Sequence, residues 1–341
     1  VTVDTTVTVR VPAKVNLQLA VGPGREDGFH DLVNVFHAVS LFDEVTVKEA
    51  PPRRPNPSGA GESAPAGAGR AAGAGPGGPA EEPAFAGLTA GGGLGSHLAR
   101  VPLDDSNLAA RAVALLAERT GRGHPVTVHL DKHIPVAGGM AGGSADAAAA
   151  LLACDHLWGC GLSLETLAGY AADLGSDVPF ALLGATAVGT GRGEVLRPLA
   201  APGRLRWVFA LSPHGLSTAS VFGEYDRIRP DAPEPRLDPA LADALTSGDP
   251  AALGAALTND LQEAALSLLP ELERTLRTGS GAGALGALVS GSGPTCAFLV
   301  GGGDGDEAAE REAAVVAELE GSGLCEQVVS AYGDVPGATV L

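Results

Sequence analysis

Cysteine is scarce in this chain: Cys154, Cys160, Cys296 and Cys325 are the only four among 341 residues, and no two form a CxxC pair. That spacing offers neither a zinc knuckle nor a disulfide framework, and it suits small apolar residues in a reducing compartment. Basic residues are few as well. The chain sets 22 Lys and Arg against 40 Asp and Glu, a formal net charge of -18. Such a field repels DNA, RNA and anionic lipid headgroups, which excludes nucleic acid and membrane as expected partners. An anionic small molecule stays open, provided positive potential is made locally by a few Lys, by backbone N–H groups or by a bound cation. Also missing is any apolar run of the roughly 18 residues that a membrane span needs. The opening VTVDTTVTVRV alternates as a strand does and lacks the apolar core of a signal peptide. A cytoplasmic location is therefore expected, and nothing in the sequence sets an oligomeric state.

What is present is enough for two domains of ordinary size, at 45% hydrophobic residues. Residues 51–95 are mostly Gly, Ala and Pro, with Phe85, Leu88 and Leu94 as the sizeable apolar groups. This composition cannot bury enough surface to offset its ordering entropy, so a disordered insertion without catalytic residues is expected there. Around it, 41–50 and 126–136 read as strands, and 104–121 reads as a helix with Asp105, Ser106 and Asn107 as capping candidates and Gly121 as its stop. Helices are expected over 144–157 and 163–174. Past Gly193 the pattern restarts: a strand at 206–211, helices at 239–246 and 261–277, a strand-turn-strand at 287–300, a helix at 306–320 and a strand at 324–331. Strands alternating with helices in both halves indicate α/β or α+β, with a boundary near 195–205.

The stretch IPVAGGMAGGSADAAAALLA (134–153) places glycines at 138, 139, 142 and 143 directly before an alanine-rich helix. Glycine lets the backbone approach a ligand without interference from Cβ, and N–H groups at a helix N-terminus favour an anion. Ser144 can cap the helix or face that anion, and Asp146 is expected in its first turn. The loop is not a Walker A motif, because no Lys follows its last glycine, and the dinucleotide-binding fingerprint does not fit cleanly either. A plain Gly/Ala-rich turn for close helix packing is the competing reading.

Three other stretches join it. VPAKVNLQLAVGPGREDGFHDL (11–32) puts Lys14 on a strand end and Phe29-His30 after a turn; LGSDVPFALLG (174–184) sets Asp177 between a Gly-Ser turn and apolar residues; SGSGPT (290–295) is a second glycine turn. Singly, each has a plain explanation: a solvated strand Lys, a packed imidazole, a turn-forming Asp, a hairpin.

Together and in this order, with HLWGCGL (156–162) and STASVF (217–222), these stretches resemble the GHMP kinase superfamily, and among its members those acting on a cytidyl-diphospho alcohol. The resemblance covers nearly the whole chain apart from 51–95. It implies an α+β two-domain fold. An N-terminal α/β domain (1–198) of the ribosomal protein S5 domain 2-like type would carry the glycine loop, and a C-terminal ferredoxin-like domain (199–341) would follow. The resemblance further implies an ATP-dependent kinase using Mg²⁺, with a small-molecule cytidyl-diphospho alcohol as phosphate acceptor. ATP phosphates would lie on Pro135, Val136, Ala137, Gly138, Gly139, Met140, Ala141, Gly142, Gly143, Ser144 and Ala145. Lys14 and Asp177 match the catalytic pair. Asn16 and Lys132 match substrate-contacting positions, Phe29 and Phe222 match the aromatics that sandwich the cytosine, His30 matches the residue reading its edge, and Thr218 lines the same pocket. No side chain is assigned as a metal ligand.

The chain departs from the family pattern in two places. Phe29 stands where most members have Tyr, which keeps the stacking face and loses a hydroxyl. Ala141 and Ala145 replace a glycine and a serine, which leaves Ser144 as the hydroxyl for phosphate or Mg²⁺. Two alternatives remain at this level: a GHMP kinase for another alcohol, such as homoserine or mevalonate, and a non-catalytic member that binds a ligand without turning it over.

Overall fold

Valine alternation at the start of the chain continues into a long hairpin, β1 (Thr6–Gly24) against β2 (His30–Glu49). The computed structural model describes residues 5–51, 83–93, 95–201 and 203–341. There follow β3 (Phe85–Gly92), α1 (Leu108–Thr120), β4 (Val126–Lys132), α2 (Gly142–Leu157), α3 (Leu164–Leu174), α4 (Val178–Leu183), β5 (Thr186–Thr190) and β6 (Val195–Pro198). The chain continues through β7 (Leu205–Leu211), α5 (Thr218–Ile228), α6 (Pro239–Ser247), α7 (Pro250–Ala256), β8 (Thr258–Asn259), α8 (Gln262–Leu268) and α9 (Glu271–Gly281). It closes with β9 (Gly286–Val289), β10 (Cys296–Gly302), α10 (Asp306–Ser322), β11 (Gln327–Gly333) and β12 (Thr339–Val340).

Eight strands form one sheet along the path β12-β1-β2-β4-β3, with β5 on β2, β6 on β5 and the short β8 on β1. The other sheet is β11-β7-β10-β9, antiparallel throughout. Register shifts in the first hairpin fall between Pro12 and Ala13 and between Asn16 and Gln18. Bulges of this kind re-aim side chains, and these two bracket Lys14 and Asn16.

Helix α2 is buried almost all round, with Ala145, Ala147, Ala148, Ala149, Ala150 and Ala153 each at 0% exposure. Alanine has the highest helix propensity, and its small side chain lets a helix lie close against a sheet. A leucine at any of these positions would overpack the core at a cost of roughly 1–3 kcal/mol. In β7, Trp207, Phe209 and Leu211 face the main core while Val208 and Ala210 face a second cluster with Val221, Tyr225, Phe298, Val315 and Leu319. The four-stranded sheet is thus buried on both faces, and its inner face fuses with the core of the larger sheet.

The described residues differ from the sequence reading in three respects. Residues 85–92, expected within a disordered insertion, form β3 parallel to β4, with Leu88 buried; positions 52–82 of that stretch lie outside the described residues. Pairing through the backbone needs few apolar side chains, so composition could not reveal this strand. The helix expected over 261–277 is two helices, α8 and α9, parted at Leu269–Pro270 because proline cannot donate into a continuing ladder. Strands β5, β6, β8 and β12 and helices α4, α5 and α7 carry no strong periodic signal and are additional to the elements expected from sequence. No helix among the described residues is long and apolar enough to cross a membrane.

Candidate active site

The bulged segment of β1 aims Lys14 into the protein. Its Nζ donates to Asn16 Oδ1 at 2.7 Å, and Asn16 Nδ2 donates in turn to Asn34 Oδ1 at 2.7 Å. Asp177 Oδ2 lies 3.8 Å from the same ammonium. Burial pulls the Lys14 pKa down and the charge of Asp177 opposes that shift. Asp177 is the N-cap of the short helix α4, but its side chain makes no capping hydrogen bond, and a third of that side chain stays exposed. The pair is therefore lopsided, with an enclosed cation facing a carboxylate that is open on one side. Asn16, expected to meet the substrate, is 0% exposed and lies behind Lys14, where it orients the ammonium.

The glycine loop reaches this pair through its backbone, since Lys14 N donates to Met140 O at 3.3 Å. Gly139 has φ +73°, and a Cβ there would sit 2.0 Å from Ser290 O; Ser290 Oγ also donates to Gly139 O at 3.1 Å. The second glycine turn, 290–295, is thereby pressed against the first. A Cβ at Gly291 would lie 3.1 Å from Lys14 Nζ, so the second turn also closes over the lysine. Asn259 Nδ2 braces that turn from behind by donating to Val289 O and Gly291 O, at 2.7 and 2.8 Å.

Ala137 and Ala141 hold left-handed backbone, at φ 54° and 61°. Ala141 is the N-cap of α2 and has no side-chain capping bond, so the first N–H groups of the helix remain available to an anion. Ser144 is consequently the third helical residue and not the cap. Asp146 is likewise past the first turn, contrary to expectation, and is engaged elsewhere.

Its partner is Lys132, which is 1% exposed. Lys132 Nζ donates to Asp146 Oδ2 at 2.7 Å, to Gly142 O at 3.4 Å, and to Asp43 Oδ2. The other oxygen of Asp43 accepts the backbone N–H groups of His133 and Ile134, at 2.6 and 2.8 Å. Burial lowers the Lys132 pKa, and the two carboxylates more than restore it; burial pushes that of Asp146 up, against the pull of Lys132. This cluster pins both ends of the glycine loop, because Asp43 holds the residues entering it and Lys132 holds the first turn of α2. Lys132 is thus placed beneath the loop, apart from Lys14 and Asp177. Sequence reasoning missed Asp43, Asn34 and Asn259, which had no motif around them.

At the other end of the hairpin, the His30 ring lies 4.9 Å from Phe222 and 6.1 Å from Tyr225, between centroids. His30 Nε2 meets Asp226 Oδ1 at 2.7 Å, and Tyr225 Oη donates to Val21 O at 2.6 Å. Phe29 is 49% exposed beside them, an aromatic face in solvent. Thr218 Oγ1 contacts Ser292 Oγ at 2.9 Å, which links the start of α5 to the second glycine turn. His30 and Phe222 are thus brought together, and Thr218 is joined to the glycine turn that closes over Lys14.

Among the described residues no three His, Cys, Asp or Glu side chains gather as a metal cage. Mg²⁺ needs none, since it keeps waters and takes one or two protein oxygens beside substrate phosphates. Ser144 Oγ and the buried Asp146 Oδ1, which has no hydrogen-bond partner among the described residues, are oxygens of the right kind on the helix that follows the loop.

Family models for the GHMP kinases N-terminal domain and the GHMP kinases C-terminal domain match residues 107–185 and 241–319. The chain is 59% identical over 337 residues to a 4-diphosphocytidyl-2-C-methyl-D-erythritol kinase of Thermobifida fusca, covering 99% of each chain. It is 53% identical to the Streptomyces coelicolor protein of the same name, covering 98% of this chain and 99% of that one. A crystal structure of 4-(cytidine 5'-diphospho)-2C-methyl-D-erythritol kinase superposes with a TM-score of 0.67 at 31% identity, over 95% of this chain and 98% of the other. A homoserine kinase from Cytophaga hutchinsonii superposes with a TM-score of 0.69 at 17% identity, over 100% and 99%, so the shared fold does not discriminate the acceptor.

Proposed function

The chain belongs to the GHMP kinase family, and from that premise we propose that it transfers the γ-phosphoryl group of ATP to the 2-hydroxyl of 4-diphosphocytidyl-2-C-methyl-D-erythritol, giving the 2-phosphate. The observation that carries this reading is the lopsided pair, Lys14 and Asp177 3.8 Å apart, which the glycine loop meets through Lys14 N and Met140 O, on a hairpin whose other end sets His30 against Phe222. A small aliphatic alcohol such as homoserine or mevalonate would have no use for that aromatic set.

Phosphoryl transfer asks the protein for position and charge stabilisation more than for covalent chemistry. The backbone from Pro135 to Ala145 and the uncapped start of α2 receive the ATP phosphates. Lys14 stabilises negative charge on the attacking oxygen and keeps the Asp177 carboxylate aimed at it. Asp177 accepts the hydroxyl proton. An ordinary Asp pKa of about 3.9 makes it a weak base for an alcohol, so the proton moves as the forming P–O bond acidifies the oxygen. Ser144 Oγ would be the protein oxygen that holds Mg²⁺, whose charge would offset that of the phosphates. Phe29 and Phe222 present ring faces to the cytosine, each contributing roughly 1–3 kcal/mol by analogy with other base-stacking sites. Lys132 and Asn16 act one layer back, in the loop's support and in the orientation of Lys14.

A steady-state assay with ATP and a panel of acceptors, with and without the cytidyl group, tests the assignment. Product is expected with the cytidyl-diphospho alcohol alone. No product above background with it, or equal turnover of homoserine or mevalonate, would reject the assignment.

A further inference from the structure

The turn Gly191–Glu194, which joins β5 to β6, touches β2 near His30 through Gly191 and Ser176, the neighbour of Asp177, through Gly193. Leu32 N donates to Gly191 O at 2.7 Å, which ties the turn to β2 just beyond His30. Further on, a Cβ at Gly193 would lie 3.5 Å from the Phe36 ring and 3.8 Å from Ser176 Cβ, so the turn also packs beside Asp177. Phe36 in its turn lies under Lys14, whose Nζ is 5.9 Å from the ring centroid. Arg192 projects from this bridge with its guanidinium carbon 5.1 Å from the centroid of Phe29.

The other cations along this path are committed. Arg25 is bound to Asp27 and Asp31 at 2.6 and 2.8 Å. Lys14 is enclosed with Asn16 and Asp177, and Lys132 is enclosed by two carboxylates. Arg192 is held only loosely: its Nε is 3.6 Å from Glu194 Oε1, while the other oxygen of Glu194 accepts the Arg192 backbone N–H at 2.7 Å. The two terminal nitrogens of the guanidinium make no hydrogen bond among the described residues. A guanidinium that stacks on an aromatic ring and keeps its N–H fork free suits a phosphate ester. A diphosphate linking a base on Phe29 to an alcohol at Asp177 must cross this turn, in a chain whose net charge of -18 offers it little other attraction.

Resting on the substrate reading above, we propose that Arg192 binds the diphosphate bridge of the cytidyl-diphospho alcohol and so makes the site select a nucleoside diphosphate ester over the bare nucleoside. The test is calorimetric binding of CDP and of cytidine to the full chain, with the ATP site filled by a non-hydrolysable analogue, for wild type, Arg192→Ala and Arg192→Lys. Wild type should prefer CDP. Arg192→Ala should lose roughly 10- to 100-fold in CDP affinity, the range for a charge-assisted phosphate contact, with cytidine affinity and the KM for ATP unchanged. Arg192→Lys should fall between, since it keeps the charge and loses the fork. The proposal is overturned if Arg192→Ala binds CDP as wild type does, or loses CDP and cytidine affinity equally, which would make Arg192 a mere packing partner of Phe29. Wild type that binds neither ligand overturns it together with the base pocket. An Arg192-dependent preference for CDP in protein that makes no product upholds the phosphate contact and rejects only the kinase reading.

Discussion

Two lysine–aspartate groups lie on either side of the same glycine loop, and they differ in how completely they are satisfied. Around Lys132 the side chains of Asp43 and Asp146 are 0% and 4% exposed, and the ammonium meets both carboxylates and a carbonyl. Around Lys14 the carboxylate stands 3.8 Å away with a third of its side chain exposed. The first arrangement is sealed from solvent and closes on its own lysine, leaving Asp146 Oδ1 as an oxygen without a hydrogen-bond partner among the described residues. The second is open on one side, which suits the role proposed for Asp177, since a group that takes a proton needs a free lone pair and room for the donor. Residue type alone does not separate the two groups; the exposure of the carboxylate does.

The most severe way to break this contrast is to remove the buried cation. Lys132→Met should destabilise the protein by about 3–5 kcal/mol in urea unfolding, because two buried carboxylates lose their partner. Replacing Asp177 by Asn should leave stability within about 1 kcal/mol, as expected for a partly exposed pair. The same Asp177→Asn change should lower kcat by at least about 10²-fold with the KM for ATP near normal. Were the two effects exchanged, with Lys132→Met stable and merely slow, the division of labour would be wrong.

A third buried group sharpens the contrast through pH. His37 donates or accepts at Thr186 Oγ1, 2.8 Å away, while its Nε2 has no partner among the described residues, and burial lowers its pKa to about 4. Lacking the acids that surround Lys132, it stays neutral in the folded state. A depressed value means that its contribution is fully present above the unfolded value of about 6.5 and is lost as pH falls toward about 4. Between about pH 7 and pH 4, wild type should therefore lose up to roughly 3 kcal/mol more than His37→Asn, measured by urea unfolding at each pH. The comparison of variants also removes the opposite contribution of nearby Asp334, whose carboxyl burial pushes up.

The smallest effect concerns the loop itself. Ala141 sits at φ 61°, where Cβ crowds the following carbonyl. Ala141→Gly should raise stability by about 0.5–1 kcal/mol, read as a higher Tm, without touching either lysine cluster.

Much of this was legible from the chain. Lys14, Asp177 and the two glycine turns stand out once the order of the stretches is set beside the family pattern, and local chemistry put Asn107 among three capping candidates and began a helix at Ser163. What escaped is of another kind. Asp43 is one polar residue in the strand LFDEVTV, and its partner Lys132 lies 89 positions away. Asn259 acts on carbonyls 30 and 32 positions on. Arg192 matters only because a turn between two unforeseen strands carries it to Phe29. Local pattern encodes what a residue's neighbours in sequence require, whereas these residues answer to neighbours made by topology. Lys132 illustrates the point: by family pattern it matches a substrate contact, and topology buries it between Asp43 and Asp146.

The contact between Gly139 and Ser290 has a consequence for anyone who would borrow the phosphate loop. Its curvature is held from outside by a turn 151 residues later in the chain, so the segment 134–145 is not a portable cassette. Transplanted into another α/β scaffold, the same letters would arrive without the surface that shapes them, and the glycines would supply floppiness in place of a cradle. A workable graft must carry both turns, and with them Asn259, as one unit spread over nearly half the chain.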